Sequence, residues 1–179
     1  MIEKITAPRR CLLAAFALAA SLAANGSAAA GAAEALPDPA GAVILTVAGA
    51  IERTNAGAAA DLDRAMLEGL GTETVRTSTP YTTGVQEFRG VPLKRLLDAL
   101  GARGRLATMI ALNDYRVAVP LGDAETPGVI LAFERNGEPM PVRDKGPLWL
   151  IYPLDGRPEL DTRETHAKLI WQLRRIEIR

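Results

Sequence analysis

Three polar clusters in this 179-residue chain combine residue types that can grip a ligand. The first, Arg76-Thr77-Ser78-Thr79-Pro80-Tyr81-Thr82-Thr83-Gly84, carries a run of hydroxyls from a strand end into a turn. Such groups bind polar ligand edges, although threonine is also a good strand former and serine a good turn residue. The second, Asn113-Asp114-Tyr115, lies between two apolar strands, where Asn and Asp either cap their own backbone or face a ligand. The third, Arg143-Asp144-Lys145-Gly146-Pro147, leads into a strand that carries Trp149. Adjacent opposite charges suit a solvated loop, but a donor, an acceptor and a glycine beside an indole also suit a flat polar heterocycle.

Conventional catalysis is hard to build from these side chains. His166 is the only histidine and Cys11 the only cysteine, so a zinc site in the body of the chain would need carboxylates for its remaining ligands. Ser78, His166 and Asp161 make a triad on paper, yet Ser78 has no G-x-S-x-G elbow, and His166 reads better as an exposed loop histidine. Neither a P-loop nor G-x-G-x-x-G is present, which removes the sequence basis for nucleotide binding.

The elements that must position these clusters follow from pattern. Residues 1–30 read as a signal peptide: Lys4, Arg9 and Arg10 form a basic head, an apolar run extends from Cys11 to Ala24, and Ala28 to Ala32 offer cleavage sites. The chain is therefore expected to be exported to the periplasm. Arg9-Arg10 serves either an ordinary secretory leader or a twin-arginine one, although Pro8, Leu12 and Leu13 fit the latter's flanks poorly. Cleavage would remove three basic residues and one acidic from totals of 21 each, leaving a mild acidic excess that advertises no nucleic acid and no anionic membrane surface. Residues 31–42 read as a small-residue and proline linker, and residues 43–179 as one domain. Within it, Val43 to Ile51, Thr74 to Thr79, Val85 to Phe88, Leu106 to Leu112, Tyr115 to Val119, Val129 to Glu134, Pro147 to Tyr152 and Trp171 to Ile178 predict strands. Asp61 to Leu70 predicts a helix begun by Asp61, and Leu93, Leu96, Leu97 and Leu100 predict a second. Asn136-Gly137 predicts a hairpin turn. Many short strands with two modest helices give a single mixed α+β domain.

The ordered landmarks Phe88-Arg89-Gly90-Val91-Pro92-Leu93, Asn113-Asp114-Tyr115 with Val119-Pro120-Leu121, Asn136-Gly137-Glu138-Pro139-Met140, and Gly146-Pro147-Leu148 through Tyr152-Pro153 closely resemble those of the sulfite oxidase type molybdopterin-binding domain family. The resemblance implies that family's fold. It also places the family's molybdenum-binding cysteine near Thr77 or Ser78, and a neutral hydroxyl does not replace a thiolate as a soft metal ligand. Among small exported members without that cysteine, the chain resembles the PruR-type pterin-binding proteins. That likeness implies a reduced, tetrahydropterin-type ligand in a metal-free pocket, and action on the periplasmic domain of a membrane sensor, a cyclase or phosphodiesterase or a histidine kinase, in cyclic di-GMP control. The implied site comprises Thr77, Ser78, Asn113, Asp114, Tyr115, Arg143, Asp144 and Lys145, with Trp149 stacked on the ring in preference to Trp171. The alternative implied by the wider family is a molybdenum-cofactor oxidoreductase or one of its subunits.

Overall fold

The first strand, β1 (Val43–Gly49), turns Leu45 and Val47 inward by simple alternation, and β2 (Ala59–Asp63) answers with Ala60 and Leu62 across an antiparallel ladder. The computed structural model describes Met1 and residues 36–179, so the leader beyond Met1, Cys11 included, and the first five residues of the linker lie outside the described residues. The helix expected from Asp61 starts later. Asp61 to Asp63 finish β2, whose inward pair has a period of two, and Asp63 caps α1 (Arg64–Gly69) by accepting the Met66 N–H at 2.8 Å. The same carboxylate accepts the Gly41 N–H at 2.7 Å, tying the chain's entry to the helix start.

Two strands follow, β3 (Glu73–Thr77) and β4 (Gln86–Pro92), paired antiparallel. β4 runs on through Gly90 to Pro92 where the pattern predicts an end at Phe88. A Cβ on Gly90 would sit 2.1 Å from the Leu131 carbonyl oxygen, so the crossing at that point requires glycine. Next, α2 (Leu93–Ala99) buries Leu93, Leu96 and Leu97. Strands β5 (Leu106–Ala111) and β6 (Arg116–Pro120) form a hairpin across Asn113 and Asp114. Strand β7 (Ile130–Arg135) turns at Asn136-Gly137, both at positive φ (54° and 81°), into the two-residue β8 (Glu138–Pro139). Strand β9 (Trp149–Ile151), the short helix α3 (Arg163–Lys168) and β10 (Leu173–Ile178) complete the order. β2, β8 and α3 have no counterpart in the sequence-based expectation.

The strands make two sheets, one ordered β2-β1-β10-β5-β6 and one β3-β4-β7-β8 with β9 on β7. β1 and β10 are parallel and every other pairing is antiparallel. Inward residues of both sheets meet α1 and α2 in the main core, including Val47, Leu67, Leu96, Phe133, Leu150 and Ile176. The second sheet is buried on its other face as well. There Phe88, Ile130, Ala132, Trp149 and Ile151 form a smaller cluster against which Trp171 packs. The result is the mixed α+β domain expected. No helix among the described residues is long and apolar enough to cross a membrane.

Candidate functional site

Trp171, at the edge of the smaller cluster, forms one wall of a pocket of about 170 Å³. The β5–β6 turn supplies Asn113 and Tyr115, the loop after β3 supplies Tyr81, and α3 with the segment behind it supplies His166, Ala167 and Leu169. Tyr81 meets Trp171 edge to face, with ring centroids 5.0 Å apart. Its hydroxyl donates to the His166 carbonyl at 3.2 Å, and the Tyr115 hydroxyl donates to the Ala167 carbonyl at 3.4 Å. Two tyrosines from separate loops thereby bond carbonyls in the last turn of α3, that of His166 in addition to the Leu169 N–H it accepts at 3.2 Å. That helix begins with Thr162, whose hydroxyl accepts the Thr165 N–H at 3.2 Å.

Polar groups converge on this aromatic frame. The Asn113 side chain accepts the Tyr115 N–H at 3.1 Å, an Asx turn that orients the amide, and Asp114 takes positive φ (62°) to complete the bend. His166 is half-buried, with Nε2 2.6 Å from Asp161 Oδ1. Lys145, also at positive φ, holds its ammonium 5.2 Å from the Trp171 ring centre and 5.5 Å from that of Trp149, within cation–π range of both.

The residues expected at the site divide. Asn113 and Tyr115 line the pocket, and Lys145, though over the Trp171 ring, is not among the lining residues. Asp114 turns away to pair with Arg174 at 2.7 Å, and Asp144 pairs with Arg135 on β7 at 2.6 Å, so neither carboxylate is among the lining groups. Arg143 is exposed on a 3₁₀ turn over Val142–Asp144. Trp149, expected to stack on the ring, is fully buried, edge to face with Phe88 and with Trp171, its indole N–H donating to the Leu169 carbonyl at 3.1 Å, and it is not among the residues that line the pocket. The indole that reaches the pocket is Trp171.

Thr77 and Ser78 form a clasp with the turn after β9. The Asp155 N–H donates to Thr77 Oγ1 at 3.1 Å, while Ser78 donates to the Asp155 carboxylate from its backbone N at 2.8 Å and from Oγ at 2.5 Å. Thr77 is fully buried. The triad on paper assembles only in its His–Asp half: His166 pairs with Asp161, but Ser78 is bonded to Asp155, and His166 belongs to a helix and not to an exposed loop. His166 and Trp171 escaped the sequence-based site, and Tyr81 entered it only as a member of the first polar cluster, not among the residues implied to touch the ligand. Thr162 ahead of Glu164 was the one available sign of α3, and six residues are too few to show a helical period.

A family model described as the oxidoreductase molybdopterin binding domain matches residues 45–154. The chain belongs to this family. The match takes in Thr77, Ser78, Asn113, Tyr115 and Lys145, while α3 and Trp171 lie beyond it. Among solved structures, the sulfane dehydrogenase SoxCD from Paracoccus pantotrophus is similar at 20% identity and a TM-score of 0.54, over 75% of this chain and 37% of that one. The likeness shows the fold, and the chain spans little more than a third of that neighbour's length. No curated protein sequence matches the chain.

Membership in a molybdopterin-binding family implies a metal-bearing pterin cofactor, and the side chains present can be tested against it. The donors at Thr77 and Ser78 are neutral, hard hydroxyls already engaged with Asp155, and residues 12–179 contain no thiol. They do not fit a soft metal held by the protein. Among the described residues, no three His, Cys, Asp or Glu side chains are grouped to hold a metal ion. The aromatic pocket, by contrast, fits the flat heterocyclic part of such a group.

Proposed function

We propose that this molybdopterin-binding-family domain is a binding protein for a reduced pterin. The observation that carries the reading is the pocket walled by Tyr81, Tyr115 and Trp171, with the Asn113 amide and the His166 imidazole at its rim. A pterin offers an aromatic face for stacking and an edge of alternating donors and acceptors, which amide and imidazole groups match. The volume of about 170 Å³ is small against an average ligand site and suits one ring system. Hydroxyls in place of a thiolate favour a ligand without metal over a redox centre.

In this reading the domain works in the periplasm and acts by contact with the external domain of a membrane sensor in cyclic di-GMP control. Ligand must then bind one state of the protein better than another, since only a difference in affinity can shift an equilibrium. The test is anaerobic calorimetric titration of the protein with a tetrahydropterin, together with metal analysis of protein purified from its native cells. Saturable one-to-one binding to protein without stoichiometric molybdenum or tungsten is expected. Close to one metal per chain, with redox turnover that depends on it, would replace this reading by the oxidoreductase one.

A further inference from the structure

The two ring nitrogens of His166 are in different situations. Nε2 lies 2.6 Å from Asp161 Oδ1, and because an ionised carboxylate only accepts, Nε2 is the nitrogen that carries the proton. In the neutral ring Nδ1 then keeps a lone pair, and no side chain or backbone group among the described residues bonds to it. His166 lines the pocket, so its free nitrogen is an acceptor offered to a ligand.

The other polar groups of the lining are committed in a way that limits what the pocket can read. Tyr81 and Tyr115 use their hydroxyl protons on the His166 and Ala167 carbonyls, so toward a ligand their oxygens accept. Asn113 is the reverse: Oδ1 takes the Tyr115 N–H, which leaves the Nδ2 amide as a donor. No Lys, Arg, Asp or Glu lines the pocket among the described residues. A ligand therefore meets a donor at Asn113 and, at His166 Nδ1, the only basic acceptor.

That pairing bears on the oxidation state of a pterin. Along each edge where its two rings join, a tetrahydropterin sets an acceptor, the carbonyl oxygen or a pyrimidine nitrogen, beside an N–H of the reduced pyrazine ring. In the fully oxidised form the pyrazine nitrogen has lost its hydrogen, and both neighbours are acceptors. A donor with an acceptor matches the first edge and opposes a lone pair to a lone pair on the second.

We propose that His166 Nδ1 accepts a hydrogen bond from a pyrazine-ring N–H and is the residue that makes the pocket selective for reduced over oxidised pterin. Asp161 is its positioning residue, holding the proton on Nε2. The inference rests on the pterin-binding reading and names the atom that would read the redox state.

Two measurements on the full chain test it. His166 is the only histidine, so its ring ¹⁵N resonances are unambiguous. At pH 8 the free protein should show Nε2 protonated and Nδ1 unprotonated, and saturation with a tetrahydropterin should shift Nδ1. Anaerobic calorimetry should find the tetrahydropterin bound about tenfold or more tighter than the same pterin fully oxidised, and His166→Phe should abolish that preference by weakening the reduced form alone. A protonated Nδ1 at pH 8 overturns the proposal, as does a His166→Phe protein that loses both forms alike, which would mark a structural role. Equal binding of both forms by the wild type keeps the pterin reading and overturns the selectivity. Binding of neither form removes the pterin reading and this inference with it.

Discussion

Two tryptophans 6.3 Å apart do different work, and substitution separates them. Trp149 is core: Trp149→Ala should cost about 3 to 5 kcal/mol in urea unfolding, because a large buried side chain leaves a cavity that its neighbours fill only in part. Trp171 is half-exposed wall. Trp171→Leu should keep most of the packing and weaken tetrahydropterin binding by about 1 to 3 kcal/mol, the scale of losing an aromatic stacking partner. The turn between β5 and β6 makes the same distinction over adjacent residues. Asn113→Ala should weaken the ligand by about 1 kcal/mol, whereas Asp114→Ala should leave affinity unchanged, since Asp114 faces Arg174. Equal effects in calorimetry would place the ligand elsewhere. Asn113 and Tyr115 were legible in sequence because a polar turn between two apolar strands has few places to go. His166 and Trp171 were not, because the pocket brings them across from a stretch that begins 85 residues beyond Tyr81, itself only one member of the first polar cluster, and the stronger apolar setting of Trp149 gave no sign of which indole faces outward.

The polar joints between elements are tested in the same way. Tyr152, buried at the end of β9, donates its hydroxyl to Asp123 at 2.7 Å, and Lys168 on α3 reaches the same carboxylate at 3.2 Å. Burial, then the bond to Asp123, pushes the phenol well above its ordinary pKa. Tyr152→Phe should cost about 1 to 2 kcal/mol of stability, the net worth of one hydrogen bond to a charged group partly replaced by Lys168. Asp63 at the start of α1 is the opposite case. The Met66 and Gly41 N–H groups hold its carboxyl below the usual aspartate value, so its contribution is present above about pH 4 and is lost as pH falls through the lowered folded value. Between pH 6 and pH 2.5 the wild type should therefore lose more stability than Asp63→Asn, which keeps the cap without the titration. Element patterning was legible where a period had room to repeat: β1, β5, β6, β7, β10 and α2 fall close to the residues that alternation and leucine spacing indicate. It failed at β2 and α1, where Leu62 fits both an inward strand position and a helical face, and at β8 and α3, which are shorter than any period.

For the molecule as a whole, the ligand and partner proposals meet in one measurable quantity. In the signalling reading, saturation with a tetrahydropterin should change the affinity for the external domain of a membrane sensor, and by linkage that domain should change pterin affinity by the same factor. Calorimetry in both orders checks this, and identical partner affinities in the two states would remove the ligand-sensing role. The sheet order carries a different kind of consequence. β10, the last strand along the described chain, lies in the middle of its sheet between β1 and β5, and Trp171 stands just ahead of it. During synthesis β1 can pair with β2 at once, but the β2-β1 and β5-β6 pairs have nothing to join them until β10 is made, and the pocket has no indole wall before Trp171. Contacts so distant in sequence form late. In the pterin-binding reading, ligand capture therefore waits until Trp171 and β10 have been made.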